Sequence, residues 1–308
     1  MQQSFTGWII FFAIVLVLLV FDLGVLHRKD HDIKLREGLL LSVFYIVIGL
    51  LYGLGIWFYL GTEKSNLYFT GFLVEKTLSL DNIFVISLIL TQLQIPRQYQ
   101  YRILFYGVLG AIILRGIMIA LGVAVLAEFK WVLELFAAFL IFTGFKMLFM
   151  KEQVTNVSQN RLLVILKKYL PLTDNLHKNH FLTKIDHKYY ATPLFLALCL
   201  VECADIIFAV DSIPAIFAIT TDPYIIYTSN IFAILGLRAL FFVVHDMLHR
   251  FVYLKYALAL VLIFIGSKVF IADWLGINAF PSSISLSVTV CLLVGGIVLS
   301  LHKRDRNR

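Results

Sequence analysis

The sequence predicts an all-α protein that crosses a lipid bilayer about nine times and contains two three-helix units as an inverted repeat. Three observations support this fold class: an apolar composition, apolar blocks of about twenty residues, and duplicated motifs. With 60% hydrophobic residues, 15% charged residues and a mean hydropathy of +0.89, the chain is far more apolar than a soluble domain. Water is therefore not the main solvent of this protein.

The apolar blocks have the length that a helix needs to cross a hydrocarbon core of roughly 30 Å. They lie at residues 5–26, 39–60, 67–93, 103–127, 131–150, 191–220, 226–247, 251–272 and 283–301. The predicted organisation is two N-terminal helices within 1–66, a first repeat at 67–150, a cytoplasmic loop at 151–190, a second repeat at 191–272, and a ninth helix with a basic tail at 273–308.

The distribution of positive charge among the loops between the apolar blocks predicts how the protein is oriented in the membrane. Most of the 26 lysine and arginine residues lie in every second loop, including the 151–190 loop, and in the C-terminal tail. By the positive-inside rule these segments face the cytoplasm and the N-terminus faces outward. Topology thus explains the net charge of +7, and no basic run interleaved with aromatic residues indicates nucleic-acid binding. The lipid bilayer is the expected partner, and the oligomeric state is open.

An internal repeat relates the two halves of the chain. The segment LIFTGFKMLF, which begins at Leu140, matches LIFIGSKVFI, which begins at Leu262. Upstream, Arg115 matches Arg238, and the acidic motifs of the third and sixth predicted helices also match. The first unit begins outside and the second inside, so the copies have inverted topology. Many secondary transporters share this plan, with binding sites near the midplane where the repeats meet.

Carboxylates inside the third and sixth predicted helices are the main functional signal. Each ionised carboxylate at membrane depth costs roughly 2.5–3.5 kcal/mol, so their retention indicates a role. Together with amide and hydroxyl oxygens they supply hard ligands, which suit Mn²⁺, Mg²⁺ or Ca²⁺. The predicted metal ligands are Glu75, Asp81, Asn82, Glu202, Asp205, Asp211 and Ser212. No catalytic residue and no resident cofactor is predicted.

A buried ion-pair network is the alternative interpretation of these acids. The cations inside the predicted spans are Lys76, Arg115, Lys146, Arg238 and Lys268. Because a guanidinium has no lone pair to offer a metal, we expect the arginines to be structural partners of the acids. We expect the same of the lysines. Glu75 and Asp205 either share the ion or pair with these cations.

Local geometry decides whether the acids converge. On a straight helix Asp81 and Asp211 lie about 120° from the stripes that contain Glu75 and Asp205. Either each helix is locally broken, or the acids of one helix face different neighbours. Pro214 favours a break in the sixth helix, because proline has no N–H to donate to the preceding turn.

At these two helices the chain closely resembles the TerC family of membrane proteins, to which the Alx proteins belong. The matching segments are EKTLSLDNIFV from Glu75 and ATPLFLALCLVECADIIFAVDSIPAIFAIT from Ala191. The resemblance implies a bacterial inner-membrane protein of the lysine-exporter-like transporter group, named for tellurium resistance and linked in several members to manganese efflux. Buried carboxylates repel an anion such as tellurite, so ligand chemistry and resemblance agree on a cation.

The leading hypothesis is therefore an exporter of divalent cations, with Mn²⁺ as the expected substrate, and not an enzyme. The chain has no Walker A motif, and closely spaced carboxylates can exchange a metal for protons. Two alternatives are an oxyanion transporter or resistance factor built on the buried cations, and a non-transporting scaffold that helps to metallate secreted proteins. An aspartyl protease is disfavoured, because Asp81 and Asp211 lie in SLDN and AVDS contexts. The sequence does not decide among Mn²⁺, Ca²⁺ and Mg²⁺, because these ions share oxygen ligands. It also leaves the coupling ion open.

Overall fold

The computed structural model describes residues 5–22, 35–129, 131–149, 171, 173, 180–185, 188–245, 254–275 and 280–305. At residues 35, 81, 185, 188, 211, 244, 245, 273 and 301–305 it describes the backbone alone. The helices are α1 (Phe5–Phe21), α2 (Leu35–Leu60), α3 (Thr62–Gln92), α4 (Arg97–Glu128), α5 (Trp131–Phe149), α6 (Pro193–Ile219), α7 (Pro223–Leu235), α8 (Leu237–His245), α9 (Leu254–Trp274) and α10 (Ser282–Asp305).

The architecture is that of an all-α polytopic membrane protein. Seven helical segments of the described residues are long and apolar enough to cross a membrane, and α7 and α8 together form one of them. The other two predicted spans are α1, which has 17 residues, and α3, which carries Glu75, Lys76 and Asp81. A total of nine spans, the inverted orientation and the proposed domain limits remain predictions.

A short antiparallel hairpin that the sequence did not predict precedes α6. Strands β1 (Leu182–Ile185) and β2 (Lys188–Ala191) pair with Leu182 opposite Ala191. Threonine, isoleucine and tyrosine favour extended backbone, which explains why this segment is not helical. The rest of the predicted cytoplasmic loop lies almost entirely outside the described residues.

Helix α7 is the centre of the core. Every residue from Tyr224 to Leu235 is buried except Tyr227, as expected of a helix that neighbours surround on all sides. It packs against α2, α3 and α4, while α6 packs against α3, α4 and α5. Aromatic side chains of α1 complete the packing, with Trp8 5.2 Å from the ring of Tyr224. The first four helices of the chain thus pack around one buried segment.

A single residue connects α2 to α3. Gly61 has a φ of +89°, a left-handed conformation that glycine adopts without steric cost. Helix α3 therefore starts at Thr62, several residues earlier than predicted, and contains Lys64. The Lys64 Nζ atom lies 2.8 Å from Asp222 Oδ2, and Asp222 in turn caps the start of α7. This ion pair holds the beginning of α3 against the beginning of α7.

The break expected at Pro214 is wrong, and the interruption lies elsewhere. Helix α6 continues through Pro214 to Ile219, and its neighbours Ile213, Ala215 and Ile216 are buried in the core. Packing on all sides of this turn offsets the one hydrogen bond that proline removes. Instead, the seventh predicted helix is interrupted at Gly236, between α7 and α8.

Helices α5 and α9 meet through equivalent residues of the two repeats. A Cβ atom added to Gly144 would lie 2.7 Å from the carbonyl oxygen of Ala259. A Cβ atom added to Gly266 would lie 2.5 Å from the carbonyl oxygen of Ala137. In the repeat alignment Gly144 corresponds to Gly266, and Ala137 to Ala259. The contact is therefore reciprocal, as between two copies related by a two-fold axis.

We predict that Gly144→Ala and Gly266→Ala destabilise the protein by about 1–3 kcal/mol, because each methyl group meets a backbone carbonyl. The measurement is the melting temperature of the purified protein in detergent. Gly295→Ala in α10 is the control, since no atom lies within 4 Å of its added Cβ. This control variant should melt at or above the wild-type temperature, because alanine favours helix over glycine. Equal melting of all three variants would contradict the close contact.

Candidate metal site

A buried arginine organises the centre of the helices. Arg115 on α4 is 1% exposed and forms an ion pair with Glu75 on α3. Its guanidinium also donates to Asn230 Oδ1 at 2.9 Å, to Ser212 Oγ at 3.2 Å and to Asp205 Oδ1 at 3.3 Å. Asn230 Nδ2 in turn donates to Glu75 Oε2 at 3.2 Å. One side chain thus joins α4 to α3, α6 and α7.

This geometry follows from the repeat. Asp205 and Ser212 lie two helical turns apart on one face of α6, and Glu75 occupies the matching position on α3. Arg115 therefore contacts the acidic residues of both repeat copies. Its planar fork of five donors suits such simultaneous contacts, which an ammonium group does not reproduce.

The positive charge of Arg115 does not neutralise the acids around it. Glu75 and Asp205 both contact the guanidinium, and Glu202 lies one helical turn before Asp205 on α6. In their ionised forms these three carboxylates exceed the one guanidinium by two negative charges. Buried charge without compensation is costly, so the cluster favours a further cation or bound protons.

Two carboxylate oxygens of this cluster have no hydrogen-bond partner among the described residues. They are Glu202 Oε2 and Asp205 Oδ2, and both atoms are buried. The carboxylate of Glu202 occupies the space in which a side chain at Gly110 of α4 would lie. A residue larger than glycine at this position would force the carboxylate to move. Both free oxygens belong to one face of α6, since residues three apart lie on the same side of a helix.

A second ion pair lies between α1 and α8. Arg238 pairs with Asp22, donates to the hydroxyl of Tyr101 at 2.6 Å, and stacks 4.4 Å from the centroid of that ring. Phe105 lies 5.3 Å from the same guanidinium. The two arginines of the repeat thus have different acidic partners: Arg115 contacts both acidic motifs, whereas Arg238 pairs with an aspartate outside the repeats. We expect such stacking to stabilise the buried cation.

The predicted lysines differ among themselves. Lys146 lies on an exposed part of α5. Lys268 on α9 is 4% exposed and donates to Ser285 Oγ at 3.4 Å. Lys76 on α3 donates to the carbonyl oxygen of Ala233 at 3.0 Å.

The predicted ligands are only partly brought together. Glu75, Asp205 and Ser212 meet at Arg115, whereas Asn82 is buried on α3 outside the described hydrogen bonds of this cluster. The backbones of Asp81 and Asp211 are helical, and their side chains lie outside the described part of the structure. Among the described side chains, no three histidine, cysteine, aspartate or glutamate groups converge as a metal site. A shared ion between Asp81 and Asp211 remains a prediction.

Sequence reasoning missed Asn230 and Gly110. Asn230 is 0% exposed within PYIIYTSNIFAIL, where an amide in an apolar span was the available signal. Gly110 had no comparable signal, because its role depends on the approach of α6 to α4.

The fold and the site together define a polytopic membrane protein with a buried, carboxylate-rich cluster. The chain belongs to the family described as "Integral membrane protein TerC family", which matches residues 60–308. It is 48% identical over 299 residues to an uncharacterized membrane protein of Rickettsia bellii, covering 97% of this chain and 98% of that protein. It is 40% identical over 313 residues to an Escherichia coli protein named "Putative membrane-bound redox modulator Alx", covering 98% and 97% respectively. No solved structure matches the chain.

We predict that Arg115→Met lowers the stability of the protein by about 3–5 kcal/mol, because it leaves buried carboxylates without compensation. The triple variant that adds Glu75→Gln and Asp205→Asn should recover much of this loss, since it removes the stranded charges. Melting temperature and yield of membrane-inserted protein are the measurements. Lys146→Met removes an exposed cation and should change neither quantity. A triple variant no more stable than Arg115→Met would show that the arginine acts through packing instead.

Proposed function

We propose that this protein exports divalent metal cations, with Mn²⁺ as the substrate, from the bacterial cytoplasm across the inner membrane. The observation that carries the proposal is the pair of buried carboxylate oxygens without partners, Glu202 Oε2 and Asp205 Oδ2. Oxygen ligands of this kind suit a hard divalent cation. Family membership and the resemblance to proteins linked to manganese efflux support Mn²⁺ as the substrate and export as the direction of transport.

The charge distribution favours a cation over an oxyanion. Arg115 and Arg238 each form ion pairs with carboxylates, so an anion would have to compete with these acids for either guanidinium. The Nε atom of Arg115 is the one guanidinium donor of the cluster without an acceptor among the described residues. The cluster around Arg115 has more carboxylates than cations, and an anion entering it would be repelled. The oxyanion hypothesis would need a guanidinium to bind an anion beside the carboxylates with which it is paired.

In the proposed mechanism the metal binds at Glu202 and Asp205 and reaches Asp81 and Asp211 as the repeats move around the site. Alternating access of this kind is the common mechanism of inverted-repeat transporters. Arg115 acts as a fixed counter-ion that keeps the empty cluster from accumulating charge. Protons that replace the departing metal are the proposed coupling ions, because crowded carboxylates hold protons in common.

We predict that Asp81→Asn and Asp211→Asn each abolish Mn²⁺ transport, and that Glu202→Gln slows it at least tenfold. An amide keeps the size of the side chain but lacks the charge that a divalent ion requires. The measurement is Mn²⁺ flux into proteoliposomes that contain a metal-sensitive dye. Glu134→Gln, which changes an exposed acid on α5, is the control and should transport normally.

Wild-type flux by both aspartate variants at normal insertion would refute the site. Tellurite uptake without Mn²⁺ flux would support the oxyanion alternative, and the absence of both fluxes would support the scaffold.

We also predict that Asp81 and Asp211 face one cavity. Replacement of both by cysteine, in a protein whose native cysteines are alanine, should create a pair of thiolates that binds Cd²⁺. Low Cd²⁺ concentrations should then protect the double variant from maleimide labelling but leave each single variant reactive. Equal protection of the single and double variants would contradict the prediction that Asp81 and Asp211 face one cavity.

A further inference from the structure

The stretch formed by α7 and α8 is interrupted next to the candidate site. Helix α7 ends at Leu235 and α8 begins at Leu237, although 223–243 together have the length and composition of one membrane span. In the first repeat the matching helix α4 is continuous through Ile113, the position equivalent to Gly236. The last carbonyls of a helix carry partial negative charge and need donors. Among the described helices of the two repeats, only the second copy therefore has a helix end at this position.

The ammonium of Lys76 lies at this helix end. Its Nζ atom donates to the carbonyl oxygen of Ala233 at 3.0 Å. The same atom lies 2.6 Å from the place that a Cβ of Gly236 would occupy, so glycine leaves the space that the ammonium fills. Among the described side chains, no carboxylate lies within ion-pair distance of Lys76. A backbone carbonyl is therefore the contact that compensates its charge.

This contact adjoins the carboxylate cluster. Glu75 and Lys76 are consecutive on α3, while Asn230 and Ala233 are one turn apart on α7. Glu75 accepts from Asn230, and Lys76 donates to Ala233. Two neighbouring side chains of α3 thus contact the last turns of α7. Glu75 binds the side-chain amide of Asn230, and Lys76 binds the backbone carbonyl of Ala233.

We propose that the end of α7 is a binding site for a monovalent cation, and that the Lys76 ammonium is its tethered occupant. Interrupted helices of secondary transporters coordinate Na⁺ at such C-terminal ends. Here a side chain of the protein supplies the positive charge, and Gly236 provides the room. The proposal concerns a site separate from the carboxylates, and its test does not depend on metal transport.

The experiment compares the melting temperatures of the purified wild type, Lys76→Ala and Lys268→Ala. Each is measured in sodium, methylammonium and choline chloride at equal ionic strength. Wild type should melt at one temperature in all three salts, because its site is already filled. Lys76→Ala should melt lower in choline, and Na⁺ or methylammonium should raise its melting temperature saturably by roughly 2–6 °C.

Lys268→Ala is the matched control, since it also removes a buried lysine. The partner of that lysine is the hydroxyl of Ser285 on a neighbouring helix, so no cation-specific rise is expected.

Equal melting of Lys76→Ala in the three salts would overturn the proposal, as would the same cation response in Lys268→Ala. Lys76→Met provides a second variant, because it keeps the length of the side chain, removes the charge and leaves no room for an ion. It should melt below wild type in every salt. If Lys76→Met melts at the wild-type temperature, the ammonium is unnecessary and the proposal fails.

Discussion

The ion pair between Arg115 and Glu75 is the interaction on which the centre of the molecule depends. A guanidinium taken out of water retains its charge, so surrounding helices must supply acceptors in the right geometry. The acceptors come from α3, α6 and α7, which fixes the relative positions of three helices through one side chain. In a bilayer, where apolar surface alone drives little association between helices, such polar contacts help to specify which helices meet.

The same interaction shows how the duplicated units have acquired different roles. Arg115 serves the acidic motifs of both copies, while its counterpart Arg238 holds α1 through Asp22. A similar difference exists one turn away. The residue five positions before each arginine is approached from the opposite copy, by the carboxylate of Glu202 at Gly110 and by the ammonium of Lys76 at Ala233. At these two equivalent positions the chain thus places an acid in one copy and a base in the other.

The sequence was sufficient to predict the membrane class, most helices and three of the residues around Arg115, namely Glu75, Asp205 and Ser212, but not Asn230. Charges in apolar blocks are expensive to bury, so most of their positions mark the interior of the bundle, whereas Lys146 is exposed. The interruption at Gly236 was not predicted, because a glycine in a helical block is tolerated in many contexts and Pro214 offered the stronger signal. The buried residues next to Pro214 keep α6 helical through the proline. The hairpin was missed because its strands are only four residues long.

The connection at Gly61 has a consequence for biogenesis. Helix α3 carries Glu75, Lys76 and Asp81, and each such residue opposes the entry of an isolated helix into lipid by roughly 2.5–3.5 kcal/mol. Helix α2 is long and apolar enough to cross a membrane, and a single residue separates it from α3. Because only Gly61 separates them, we expect the two helices to enter the translocon and the lipid as a hairpin, in which the apolar surface of α2 compensates for the charges of α3. The polar helix on which the site depends would then reach the membrane accompanied by its own apolar partner.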